Sequence, residues 1–189
     1  MTKSQYSSGG ADSLWECACA LYRAPGVAAA CLQAQDQYQQ NINHLLCCCW
    51  LGLRGQGLDY SLIAAAPAAL NWHQHFVLPV RALRRQAKAW PVDETLYQQW
   101  LALELALERQ ELDYLEQALA LSMKPLMKPL MKPAPGKQTS GPDLVRANWL
   151  AYWQQQGLTN QLTTPLLELL QPLLQACQQP GQEGGTADQ

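Results

Sequence analysis

From Val92 to Leu121 the chain runs thirty residues without a glycine or a proline: VDETLYQQWLALELALERQELDYLEQALAL. These are the two residues that break helices, glycine through backbone entropy and proline through its missing N–H and its clash with the preceding turn. One long helix is predicted, with Asp93 as its cap. Leu96, Trp100, Leu103, Leu107 and Tyr114 form one apolar stripe, and Leu101, Leu105, Leu112, Leu115 and Leu119 lie beside it. A stripe that wide belongs against more than one neighbour, so the rest of the chain must supply packing partners.

Upstream, the apolar residues recur at helical spacing between proline and glycine stops. Asp12 or Ser13 can cap a helix carrying Leu14, Cys17, Ala18 and Leu21, which Pro25-Gly26 ends. A second helix follows with Val27, Cys31, Ala34 and Tyr38 inward. Asn41 or Asn43 can cap a third, bearing Ile42, Leu45, Leu46, Cys49, Trp50 and Leu53. Residues 59–90 are helical in composition but interrupted at Pro67 and Pro79, where a restart and a kink or new start are expected. No run of alternating β-branched residues occurs, which points to an all-α fold.

Three Met-Lys-Pro units in MKPLMKPLMKPAPGKQTSGP forbid a stable helix and read as a low-complexity linker. The expected organisation is a disordered leader at 1–11, a helical core domain at 12–121 able to fold alone, the linker at 122–142, a two-helix segment at 143–178 and a disordered tail at 179–189. The architecture is then a compact bundle of about five to seven helices with a C-terminal helical extension. Trp15, Trp50, Trp72 and Trp100 are the candidates for its largest buried side chains.

The formal charge is -2, from 13 Lys and Arg against 15 Asp and Glu, so no overall field draws the chain to nucleic acid or an anionic membrane. The N-terminus lacks the apolar run of a secretory signal, and the later apolar runs are broken well before the ~18 residues of a membrane span. Seven cysteines, three of them adjacent, make a poor disulfide framework. A cytoplasmic protein with reduced thiols is expected.

The adjacent cysteines stand directly behind a histidine, in NHLLCCCW. Each residue of a helix turns by about 100°, so Cys47, Cys48 and Cys49 point in three directions and cannot share one metal. His44 and Cys48 are a local pair, but the CxC at 17 and 19 is poorly placed on a helix and no CxxC exists. Cysteine packs as a small apolar residue, so the cluster is read as core, with Cys48 against another helix; no metal and no cofactor are expected.

Two charged patterns stand out. Arg81, Arg84, Arg85 and Lys88 fall at i, i+3, i+4 and i+7, one face of a helix, a stripe able to bind phosphate or an acidic partner. Any amphipathic helix also shows such a face to water. Glu104, Glu108 and Glu111 form an acidic row on the next helix, and the short connection favours antiparallel packing in which the rows meet as an ion-pair seam. Asp36, Asn41 and Asn43 gather oxygens at a helix junction, where capping explains them and a ligand pocket is the rival reading. The acidic row lacks a matching carboxylate and histidine row for a di-metal site, and the chain has no GxSxG, HExxH, EF-hand or Gly-rich phosphate loop.

Several stretches resemble a family of small proteobacterial proteins with no assigned activity. The matches are Trp15, Leu21, Tyr22, Pro25, Gly26 and Val27, then Cys31, Leu32, Gln35 and Asp36, then Asn43 and Trp50-Leu51. Pro79, Arg81, Arg84 and Arg85, followed by Leu107, Glu108 and Arg109, continue the likeness, which covers about residues 13–120. The chain departs at Gln39, where the family has glycine, and at Asn41, where it has aspartate. The resemblance implies a bacterial origin and leaves the activity open.

Two functional readings are carried forward. In the first, a small helical interaction or regulatory protein presents Arg81, Arg84, Arg85 and Lys88 to a protein partner with an acidic surface. In the second, a ligand-binding or enzymatic domain gathers Asp36, Asn43, Arg81 and Arg85 around an interhelical polar pocket. The first requires the arginines exposed, the second turned inward. Nucleic acid is the least favoured partner, because four cations on an acidic chain give weak, salt-sensitive binding. No membrane partner and no catalytic residue are assigned.

Overall fold

A computed structural model describes residues 13–120 and 141–178. The expectations for the leader, for most of the linker and for the tail fall outside these residues. The described chain is all-α: α1 (Leu14–Arg23), α2 (Val27–Tyr38), α3 (Ile42–Leu53), α4 (Tyr60–Ala64), α5 (Pro67–Trp72), a π-helical turn (His73–Val77), α6 (Leu78–Ala87), α7 (Glu94–Ala120), α8 (Gly141–Gln155), α9 (Asn160–Leu169) and α10 (Gln171–Ala176).

These are more helices than the five to seven expected, and proline accounts for much of the difference. Pro67, Pro79 and Pro172 each sit in a first helical turn, where no N–H is needed, so each opens a new element. The π turn precedes Pro79, whose ring would meet the carbonyl four residues back in a regular helix. Pro142 likewise lies in the first turn of α8, which therefore starts inside the segment read as linker. The C-terminal segment holds three helices where two were expected.

Local signals set the helix ends. Ser13 accepts from the Glu16 backbone N–H while the Glu16 carboxylate accepts from the Ser13 N–H, a complete capping box. Asn41 caps α3 by accepting from the N–H groups of Asn43 and His44, and Asp59 caps α4. Gln39 ends α2 with φ 53°, in the left-handed region that favours glycine.

The core is organised around α3. Every residue from Asn43 to Gly52 is buried, because α1, α7 and α8 cover its different sides. The most extensive helix pairing is α3 with α8, which carries Val145, Trp149, Tyr152 and Trp153 into the same apolar cluster as Leu14, Cys31, Leu46 and Leu115. Trp149 and Trp153 are fully buried, and each contributes about 3 kcal/mol of apolar burial. Their indole N–H groups donate to the Leu45 carbonyl (3.1 Å) and to Gln40 Oε1 (2.8 Å). Of the tryptophans singled out from sequence, Trp50 is buried and Trp15 is partly buried against the core. Trp72 and Trp100 are half-buried.

Gly52 is where α3 and α8 approach most closely. A Cβ there would stand 2.5 Å from Val145 Cγ2, 2.7 Å from the Val145 backbone N and 2.9 Å from its Cα. Two of those atoms are backbone and cannot rotate away. Gly52→Ala is therefore expected to lower the free energy of unfolding by at least about 1–3 kcal/mol in urea titrations, and Val145→Ala should not rescue it, since the backbone clash remains.

Candidate functional site

Glu111, on the buried half of α7, is completely inaccessible to solvent. Its carboxylate accepts from Asn41 Nδ2 at 2.6 Å, from Asn43 Nδ2 at 2.7 Å and from His73 Nδ1 at 3.0 Å, which requires the His73 proton on Nδ1. Asn43 also donates to the Glu108 carbonyl (3.1 Å). Three elements, α3, the π turn and α7, are thus tied through one carboxylate. Burial pushes the Glu111 carboxyl up, but the hydrogen bond and charge of His73 and the Asn41 amide outweigh it and hold the group below its ordinary value of 4.5.

One turn away, His44 Nδ1 lies 3.3 Å from the Tyr152 hydroxyl, and its Nε2 is buried without a hydrogen-bond partner among the described residues. Burial, partly opposed by Glu111 and reinforced by His73, lowers the His44 pKa to about 4. The ring is neutral at pH 7.

Two members of the basic stripe, Arg81 and Arg84, are turned inward. Arg81 is buried and donates through Nε to Glu104 Oε1 (2.8 Å) and through Nη2 to Glu108 Oε1. Arg84 donates to both Glu104 oxygens and to the Tyr97 hydroxyl (3.4 Å). The seam expected between the two rows is present at Glu104 and Glu108. Glu111 departs from that expectation: it lies beyond the end of α6, where the π turn offers it His73. Arg85 instead pairs with Asp36 of α2 across half-exposed surface. Among the described residues, Lys88 has no ion pair; it is exposed at the C-terminal end of α6.

The pairs are electrostatically unequal. Burial raises Glu104, but the hydrogen bonds from Arg84 and Arg81 outweigh it and hold the carboxyl below its usual range. Glu108 is raised, because burial exceeds the pull of Arg81. The Arg85 hydrogen bond lowers Asp36.

A cleft of about 170 Å³ opens between α1, α2, α3 and α7, lined by Trp15, Tyr22, Gln35, Asn43, Leu105 and Glu108 among others. Of the residues expected around a pocket, Asn43 lines it directly, and Arg81 reaches it through Glu108. Asp36 and Arg85 are not among its lining residues. Burial raises the Tyr22 hydroxyl to about 12, so it is a donor at neutral pH and not a base. The volume is below the ~300–1,000 Å³ of ordinary small-molecule sites.

Cys47, Cys48 and Cys49 are all buried and free, and burial pushes their thiols up. Cys49 lies beside Cys177, the C-cap of α10, and the Cys48 carbonyl accepts from Asn148 Nδ2 of α8 (3.2 Å). His73 and His75 engage Glu111 and the Asn71 carbonyl.

A second surface feature was not legible from the stripes alone. With Arg81 and Arg84 facing Glu104 and Glu108, the 100° turn per residue places Val80 and Leu83 of α6 on one flank of the hairpin, with Leu96, Gln99, Leu103 and Ala106 on the corresponding flank of α7, and Phe76 of the π turn stacks on Trp72 (ring centroids 4.2 Å). Phe76, Leu83, Leu96 and Leu103 are 41–48% exposed, and Trp90 at the hairpin tip is 72% exposed. Asp93, whose carboxylate accepts from the Leu96 N–H (3.3 Å), and Lys88 border this flank at the hairpin end.

An all-helical bundle braced by a buried polar and ion-pair network defines the class. The chain belongs to the family described as protein of unknown function (DUF2390), whose model matches residues 13–115. No curated protein and no solved structure matches it. No described helix is long and apolar enough to cross a membrane.

Replacing Glu111 by leucine leaves two amides and a histidine without their acceptor, and is expected to cost about 3–5 kcal/mol, whereas Arg85→Glu, at a half-exposed pair, should cost about 1 kcal/mol or less. Urea titrations at pH 7 check both. His44 generates a pH dependence of defined sign. Its folded pKa lies below the ordinary value of 6.5, so the neutral ring's contribution is complete above pH 6.5 and is lost as pH falls toward about 4. Between those limits the wild type should lose up to about 1.4 kcal/mol more per pH unit than His44→Phe, and the carboxylates Glu104 and Glu111 steepen the loss below pH 4.5 in both.

Proposed function

We propose that this protein works by association with another protein, and that its contact surface is the apolar flank of the α6–α7 hairpin. The observation that carries this reading is the exposure of Phe76, Leu83, Leu96 and Leu103 along one flank, with Trp90 exposed at the adjoining hairpin tip. Large apolar side chains gathered on one face are a common mark of an interaction site.

The basic stripe is a weaker candidate than its spacing suggests. Arg81 and Arg84 already hold Glu104 and Glu108, and Arg85 holds Asp36, so an acidic partner would have to displace existing carboxylates. The same pairing weakens a nucleic-acid reading. The inward-turned arginines and the cleft at Asn43 and Glu108 favour a ligand pocket as the second reading, though the cleft's volume limits it to a small occupant.

Capture from a bacterial lysate on the immobilised full-length chain separates these readings. Proteins retained by the apolar flank should survive a wash at about 1 M salt and the Arg85→Glu substitution, and should be lost with Leu83→Lys/Leu103→Lys. Retention that is washed off by salt and depends on the arginines would overturn the proposal.

A further inference from the structure

We infer that the occupant of the apolar flank is a second copy of this chain, paired hairpin to hairpin about a two-fold axis. The inference rests on the interaction reading above and names its partner. Three observations converge on it.

The first is charge. The cations of α6 and the carboxylates Glu104 and Glu108 are consumed in the seam between the helices, and Arg85 points to Asp36 on the cleft side. The flank retains leucine, phenylalanine, valine and alanine, with Gln99 and Gln110 as its polar members on α7. With one base, Lys88, and one acid, Asp93, at its hairpin end, such a face carries no net charge with which to select an acidic or basic partner or to repel its own image. The net charge of -2 adds little opposition to self-association.

The second is area. Phe76, Leu83, Leu96 and Leu103 at 41–48% exposure, with Trp90 at 72% and Trp100 half-buried beside them, present on the order of 500 Å² of apolar surface. A standard interface covers ~800 Å² per partner, and homodimer interfaces are ~65% apolar, which requires about the same apolar area. The flank is therefore sufficient for a dimer.

The third is shape. In a two-fold pairing the same patch meets itself, so a flank that is self-complementary in chemistry needs no second surface. Two antiparallel helices meeting their own copy form a four-helix layer, with the long α7 of each copy supplying ridges for the other's grooves. The outer side of α6, which has no described helix over it, becomes buried in the pairing.

Sedimentation equilibrium on the purified full-length chain tests this across roughly 1–100 μM. The expected result is a mass of twice 21.0 kDa at the upper concentrations, dissociating on dilution and indifferent to salt. Leu83→Lys/Leu103→Lys should weaken the dimer at least about 100-fold while leaving the helical circular dichroism intact, and Leu32→Lys, on α2, should leave it unchanged. Phe76→Ser/Leu96→Lys provides an independent pair on the same flank if the first does not fold. A chain that stays at 21.0 kDa throughout overturns the inference, as does a dimer that both flank pairs leave intact. A monomer whose lysate capture still depends on the flank removes the self-partner and spares the interaction reading; loss of both removes the two together.

Discussion

The Glu111 carboxylate is the tie on which the arrangement of the first hundred residues depends. A fully buried anion is costly unless its lone pairs are engaged, and here three donors from two other elements converge on it. Asn41 and Asn43 reach it because Asn41 ends the loop before α3 and caps that helix, so a single turn of chain supplies both amides. His73 reaches it because the π turn swings the residues before Pro79 toward α7. Once Glu111 is held, α7 is held in register against α3 and the π turn, and Glu108 and Glu104, one and two turns earlier respectively, are presented to Arg81 and Arg84. The outer seam follows from the inner knot.

The other half of the core is governed by steric closeness. Gly52 lets the backbone of α8 approach α3 at Val145, and that approach carries Trp149 and Trp153 over Leu45 and Gln40. Asn148 then satisfies the chain on both sides, donating to the Cys48 and Gln56 carbonyls and accepting from the Leu58 N–H. The cysteines of α3 are small enough to fit between so many neighbours, which gives their clustering a packing rationale. A larger residue at any of the three would separate helices that depend on contact.

With Arg81, Arg84, Glu104 and Glu108 spent internally, the hairpin of α6 and α7 is left with an apolar outer flank. The 27 residues of α7 divide accordingly. Leu112, Leu115, Ala118 and Leu119 are covered by the bundle, while Leu96, Leu101, Leu103 and Leu105 remain exposed. The wide stripe does face more than one neighbour, but the described chain supplies cover for its C-terminal half alone.

Much of the secondary structure was legible because its causes are local. The Ser13 capping box, the Asn41 and Asp59 caps, the stop at Pro25-Gly26 and the long α7 all depend on residues within about four positions of one another, and helical spacing records them directly. The meeting of Arg81 with Glu104 was also within reach, since a short connection makes neighbouring helices antiparallel. What the sequence could not specify were pairings between distant segments. Nothing in the spacing of Glu111 distinguishes it from Glu104 and Glu108, yet the geometry of the π turn sends it to His73 and the asparagines. The stripe of Val145, Trp149, Tyr152 and Trp153 shows a buried face but not which helix buries it, and only the approach at Gly52 assigns it to α3. The sequence by itself determined the all-α class, the caps and stops of the first helices and which sides are apolar, because those depend on short-range sterics and hydrogen bonding. The tertiary structure alone decided which charges are spent and which apolar face is left over, because that depends on which groups, tens of residues apart, reach the same few ångströms of space.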